Sequence, residues 1–325
     1  MKTILFLIFL LIQIIGLAQS KEESISVATT GCIIQGSLYV PQGKKSFSVL
    51  IVIAGSGPTD RYGNSTLGIK ANSYKMLAEQ LADQDIGVLL YDKKGMAKSI
   101  SNLNEADLRF EDYVNDVVKW VKMLQRDKRI KNIYLAGHSE GSLIGMLAVQ
   151  KVKVKGYISI AGPAKGIAGI ITAQYAKQLP KAAPIVDSLF ERLKAGKIID
   201  TVPPYLQSIF RPSVQPYIKS WMKYIPANEI KKITIPILIV QGGTDLQVDS
   251  AEANLLRQAN PKAQLIILDS MNHILKNASV YRMQNLATYS NPALPLAPGL
   301  IKAIAIFIIQ NKNEGFKTAV KRCCN

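Results

Sequence analysis

The chain has 325 residues, 48% hydrophobic and 19% charged, and 40 Lys and Arg against 23 Asp and Glu leave a net charge of +17. This length suits one large α/β domain with a well-buried core and room for an inserted subdomain. Three cysteines (Cys32 and the adjacent Cys323 and Cys324) are not a disulfide framework, and two histidines cannot build a zinc site, so no metal or organic cofactor is expected.

Residues 1–20 begin with Lys2, continue through the apolar run 4–12 and end in Gly16-Leu17-Ala18-Gln19-Ser20. A basic start, a short apolar core and a small-residue exit predict a secretory signal peptide cut after Ala18 or Ser20. The run is short for a span of about 20 residues, and no cysteine stands where a lipid anchor would attach. An exported protein, periplasmic or secreted, is expected, with no stable membrane insertion after cleavage. The lysines are scattered in ones and twos, as in Lys44-Lys45 and Lys93-Lys94, or alternate with valine at Lys151, Lys153 and Lys155. No basic run interleaves with aromatics, so the charge reads as a solvated surface and no nucleic-acid partner is expected.

After 20, stretches 24–29 and 31–39 predict an antiparallel pair. Apolar, β-branched runs at 47–54, 86–91, 132–136, 156–160, 235–241 and 264–268 then alternate with helical stretches at 72–83, 105–125, 139–151, 250–258 and 300–310. Phe110, Val114, Val117, Val118, Val121 and Leu124 recur at helical spacing and predict a core-facing stripe. The pattern is that of an α/β fold, a mostly parallel sheet with helices on both faces. About 70 residues separate the strand at 156–160 from the one at 235–241, far more than a βα crossover needs. Their helix-like pieces, repeated prolines and aromatics predict a helical cap or lid over a site. The expected division is a core at 21–162 and 233–325 with the cap at 163–232.

Gly137-His138-Ser139-Glu140-Gly141 follows the strand at 132–136 and opens an apolar helix. This G-x-S-x-G in a strand–turn–helix context is the pattern of a nucleophile elbow, with glycines where the backbone is strained and crowded. A serine nucleophile needs a base to take its proton. His138, next to Ser139 on a tight turn, is expected to point its ring away from the hydroxyl, which leaves His273, in the loop after the strand at 264–268. Asp245, just past the strand at 235–241, is placed to orient that histidine; Asp249 and Asp269 are the alternatives. Nucleophile, acid and base thus come in that order at the carboxyl ends of parallel strands, where α/β sheets hold their ligands.

These residues resemble the α/β-hydrolase superfamily, which uses the same order. Asp92-Lys93-Lys94-Gly95 after the strand at 86–91 resembles that family's loop at this point. Ala54-Gly55-Ser56-Gly57-Pro58-Thr59-Asp60-Arg61 is similar to the oxyanion loop of exported bacterial esterases, with Ala54 where the family usually has histidine. The resemblance implies acyl transfer by Ser139, Asp245 and His273, with oxyanion donors in the backbone N–H of Ser56 (Gly57 the alternative) and of Glu140, whose side chain needs no duty. Asp60 and Arg61 read as structural. The expected activity is hydrolysis of small-molecule esters with small to medium acyl groups. A proline-iminopeptidase-like serine aminopeptidase is the alternative, disfavoured because the cap is poor in acid. A non-catalytic binding protein on the same fold would lack a triad member, and none is missing. Acyl length, oligomeric state and cysteine pairing are not legible.

Overall fold

Near-continuous apolar runs make the strands because both faces of the sheet are covered. The computed structural model describes residues 20–312, so nearly all of the expected signal peptide, and Cys323 and Cys324, lie outside the described residues. The strands are β1 (Lys21–Thr29), β2 (Cys32–Val40), β3 (Phe47–Ile53), β4 (Ile86–Tyr91), β5 (Ile130–His138), β6 (Gly156–Ile160), β7 (Ile237–Gly242) and β8 (Gln264–Leu268). They form one sheet in the order β1-β2-β4-β3-β5-β6-β7-β8. β1 and β2 are the expected antiparallel pair, and β3 to β8 run parallel.

The helices are α1 (Ser73–Ala82), α2 (Phe110–Leu124), α3 (Glu140–Ala148), α4 (Ile167–Gln178), α5 (Ala183–Lys194), α6 (Gln207–Phe210), α7 (Gln215–Trp221), α8 (Pro226–Ile230), α9 (Ser250–Ala259), α10 (Arg282–Ala287) and α11 (Leu300–Asn311). Alternate strand residues bury into opposite cores. Val49, Ile51 and Ile53 pack with α2, α3 and α9, whereas Leu50 and Val52 pack with α1 and α11. Val114, Val117 and Val121 of the α2 stripe are fully buried, each stabilising by roughly 1.5–3 kcal/mol.

Among the boundaries that differ from expectation, three have a plain cause. β5 runs on to His138, which pairs with Ile160, because ladder bonds do not depend on side-chain polarity. β7 starts at Ile237, since Pro236 has no N–H to give a ladder. The stretch 105–125 is not one helix: a 3₁₀ turn covers Glu105–Asp107, and α2 begins at Phe110, where Asp112 accepts the Arg109 N–H at 2.8 Å.

Between β6 and β7 stand α4 to α8. Their prolines occupy first helical turns, at Pro184, Pro216 and Pro226, where a missing N–H costs nothing. This insertion continues the core beneath it: Phe110 of α2 stacks on Trp221 of α7 at 5.3 Å, and Phe190 meets Phe210 at 4.8 Å. Among the described residues no helix is long and apolar enough to cross a membrane.

Candidate active site

Ser139 sits between β5 and α3 with φ 54° and ψ −119°, a strained backbone for a residue with a Cβ. Its neighbours allow no alternative path. A Cβ on Gly137 would lie 2.1 Å from the Gly141 carbonyl oxygen, and one on Gly141 would lie 2.2 Å from the Ile53 oxygen. The Ser139 N–H donates to Ile160 O at 2.9 Å, and the half-buried side chain fronts an open cleft. The N–H of Glu140, first in α3, has no acceptor within its helix and adds to the positive helix end beside Ser139.

Asp245 and His273 meet directly. The His273 Nδ1–H donates to Asp245 Oδ2 at 2.8 Å, and His273 borders the cleft that Ser139 also lines. Asp245 Oδ1 accepts from the N–H of Gln247 at 2.7 Å and of Val248 at 2.9 Å. Burial alone would raise this carboxyl, but the charge and hydrogen bond of His273, with those two N–H groups, hold it below the usual carboxylate value. Of the two alternatives, Asp249 caps α9 and pairs with Lys177, and Asp269 is exposed. Neither touches His273.

His138 does turn away from the serine, and both its nitrogens are engaged. Nδ1 accepts from the Tyr74 hydroxyl at 2.7 Å, and Nε2–H donates to the His273 carbonyl at 2.8 Å. Burial, then the neighbouring His273, push its pKa down to about 3, so it stays neutral. Tyr74 also accepts the Gly55 N–H at 3.4 Å, linking the loop at 54–61 to the loop of His273.

Lys93 and Glu140, both buried, form a second link. The Lys93 ammonium donates to Gly55 O at 2.6 Å and faces Glu140 Oε2 at 3.4 Å. Tyr217 of α7 donates to Glu140 Oε1. The Glu140 carboxylate, read from sequence as having no duty, therefore joins the insertion to the elbow. Asp60 and Arg61 do not pair with each other: Arg61 binds Asp92 through Nε at 3.0 Å and Nη2 at 2.6 Å, while Asp60 accepts the N–H of Tyr62 and Asn64.

Two clefts meet at Ser139 and Ser56. One is lined by Thr59, Ile69, Tyr74, His273 and Ile274. The other lies under the insertion, where Leu143, Ile167, Ile170, Ile171 and Trp221 share the lining with Glu140, Lys165, Gln174 and Gln247. Of the insertion aromatics, Trp221 thus lines a cleft, whereas Phe190 and Phe210 fill the insertion's own core. Gln247, which sequence reasoning passed over, borders both clefts. Among the described residues no group of three or more His, Cys, Asp or Glu could hold a metal ion.

The family model of the serine aminopeptidases, S33, matches residues 67–213, a stretch that holds Ser139 but neither Asp245 nor His273. Esterase EstD of Thermotoga maritima is 27% identical over 248 residues, 74% of this chain, and the chain spans 57% of EstD's length. Est1E from Butyrivibrio proteoclasticus, solved with ferulic acid bound, superposes with a TM-score of 0.59 at 16% identity, covering 88% of this chain and 98% of Est1E. The Pyrococcus furiosus esterase Pf2001 gives 0.58 at 16% identity over 90% and 91% of the two chains. With the strand order, these likenesses to solved structures show that the chain has the α/β-hydrolase fold.

Proposed function

We propose that this protein is a serine hydrolase of carboxylic esters, carrying its acyl group on Ser139. The observation that supports it most is the Asp245–His273 hydrogen bond, made by a histidine that borders the same cleft as a strained, half-buried serine. His273 Nε2 takes the Ser139 proton as Oγ attacks the ester carbonyl carbon, and Asp245 holds the tautomer and balances the imidazolium. The oxyanion is received by the N–H groups of Ser56 and Glu140, each worth about 3 kcal/mol in the transition state. His273 then protonates the departing alcohol, and water, deprotonated by the same nitrogen, releases the acid.

In this reading the cleft with the Leu143, Ile170 and Trp221 side chains takes the acyl chain and the cleft of Thr59 and Tyr74 takes the alcohol. The helices at 163–232 act as its cap, and the segment 1–20 exports the protein. The S33 match favours a second reading, aminopeptidase. Against it, among the described residues Glu140 is the one acidic residue lining the two clefts, and its carboxylate is already held by Lys93 and Tyr217.

The test is hydrolysis of p-nitrophenyl esters from acetate to dodecanoate, with methyl ferulate and an aminoacyl anilide alongside, by wild type and Ser139→Ala. Ester hydrolysis that vanishes in the variant is expected, by about 10⁶-fold in kcat. Cleavage of the anilide alone would transfer the assignment to the peptidases, and ester hydrolysis surviving in Ser139→Ala would refute the nucleophile.

A further inference from the structure

The Gly55–Ser56 peptide is gripped at its carbonyl, and its other end is the N–H assigned above to the oxyanion. Lys93 Nζ donates to Gly55 O at 2.6 Å, closer than its approach to Glu140 at 3.4 Å. Lys93 is 3% exposed, so water does not screen its charge. Its remaining near neighbour is the Tyr113 ring, 5.3 Å from Nζ. Gly55 N–H meets Tyr74 Oη, and a Cβ on Gly55 would lie 3.2 Å from Ser139 Cβ, so this segment runs tight against the nucleophile. No hydrogen bond among the described residues uses the Ser56 N–H. A peptide shares its π electrons across O, C and N, so a cation on the oxygen draws density from the nitrogen and makes its N–H a stronger donor.

Resting on the esterase reading, we propose that the Lys93 ammonium acts through the Gly55–Ser56 peptide to strengthen and orient the Ser56 N–H as an oxyanion donor. Lys93 touches neither substrate nor reacting atoms; it is a positioning residue. A lysine that merely neutralised Glu140 would have no need to sit closer to the carbonyl than to the carboxylate. The Glu140 charge opposes the effect at longer range, and the Tyr217 hydroxyl, donating to Oε1, draws that charge toward the insertion.

The test uses the second-order rate at which a fluorophosphonate probe labels Ser139, beside kcat and KM for p-nitrophenyl butyrate. Lys93→Met removes the charge and keeps the length, but strands the Glu140 carboxylate. The double variant Lys93→Met/Glu140→Gln removes both charges and keeps the test open if the single variant misfolds. Expected is a loss of about tenfold or more in labelling rate and kcat in each variant, with KM within about twofold, the melting temperature lowered in Lys93→Met and largely kept in the double variant. Lys93→Arg, which retains a cation, should recover part of the rate. A wild-type rate in Lys93→Met, or its return in the double variant, would overturn the proposal while leaving the esterase reading intact. A wild type in which Ser139 is never labelled would instead overturn that reading, and the proposal with it.

Discussion

The elbow at 137–141 and the helical insertion that stands over it are held by different physics. At the elbow, backbone meets backbone: Gly137 and Gly141 sit where any Cβ would lie about 2 Å from a carbonyl oxygen. In the insertion, side chains meet side chains, through Phe110 on Trp221, Phe190 on Phe210 and Tyr217 on Glu140. Backbone contacts admit one residue type, whereas side-chain contacts can be refilled. The elbow is therefore brittle and local, and the insertion tolerant and dispersed.

The largest test of this contrast lies beside the elbow. Asp245→Asn would leave the fold but remove the acceptor that sets the His273 tautomer, so kcat should fall about 10⁴-fold with an unchanged circular dichroism spectrum. A loss below tenfold would mean that Asp249 or Asp269 can serve instead. Gly137→Ala should destabilise by about 3 kcal/mol or more in urea. Gly169→Ala is its counterpart in the insertion. There a Cβ would find its nearest neighbour at 3.9 Å, inside α4, so a gain of about 0.5–1 kcal/mol is expected. Equal effects at the two glycines would abolish the distinction.

A pH titration separates the regions more gently. His138 has its pKa lowered from 6.5 to about 3 by burial first, so between those values the unfolded chain binds a proton that the folded one refuses. Its contribution is intact above pH 6.5 and falls by about 1.4 kcal/mol per pH unit below it. Asp245, its carboxyl also lowered, adds a loss at still lower pH, below the usual carboxylate value. His138→Gln should flatten the upper window by one proton in denaturation followed from pH 7 to 4. Smallest is Tyr217→Phe, which removes one hydrogen bond between insertion and elbow and should cost about 1 kcal/mol with kcat nearly kept.

This division also explains what could be read in the residues. The strands, the core stripe of α2 and the strand–turn–helix around Ser139 are local patterns, legible in a few consecutive residues. With two histidines in the chain, one next to Ser139 itself, the pairing of Asp245 with His273 could be expected from strand ends alone. Lys93, Tyr74 and Tyr217 carried no such signal. They reach partners 38, 64 and 77 residues away, and nothing in their own neighbourhoods distinguishes them from ordinary core or surface residues. The loop at 92–95 stood out through its likeness to other hydrolases, but which backbone carbonyl its lysine would hold was a tertiary fact. Asp60 and Arg61, adjacent in sequence, find separate partners for the same reason.

The hydrogen bonds of Tyr74 and His138 tie the Gly55 amide to the His273 carbonyl. The two loops they join come from opposite ends of the chain, yet neither can shift without straining the other. Across descendants of this gene, positions 74 and 138 should therefore change as a pair or not at all, a signature that any sufficiently deep collection of relatives would carry.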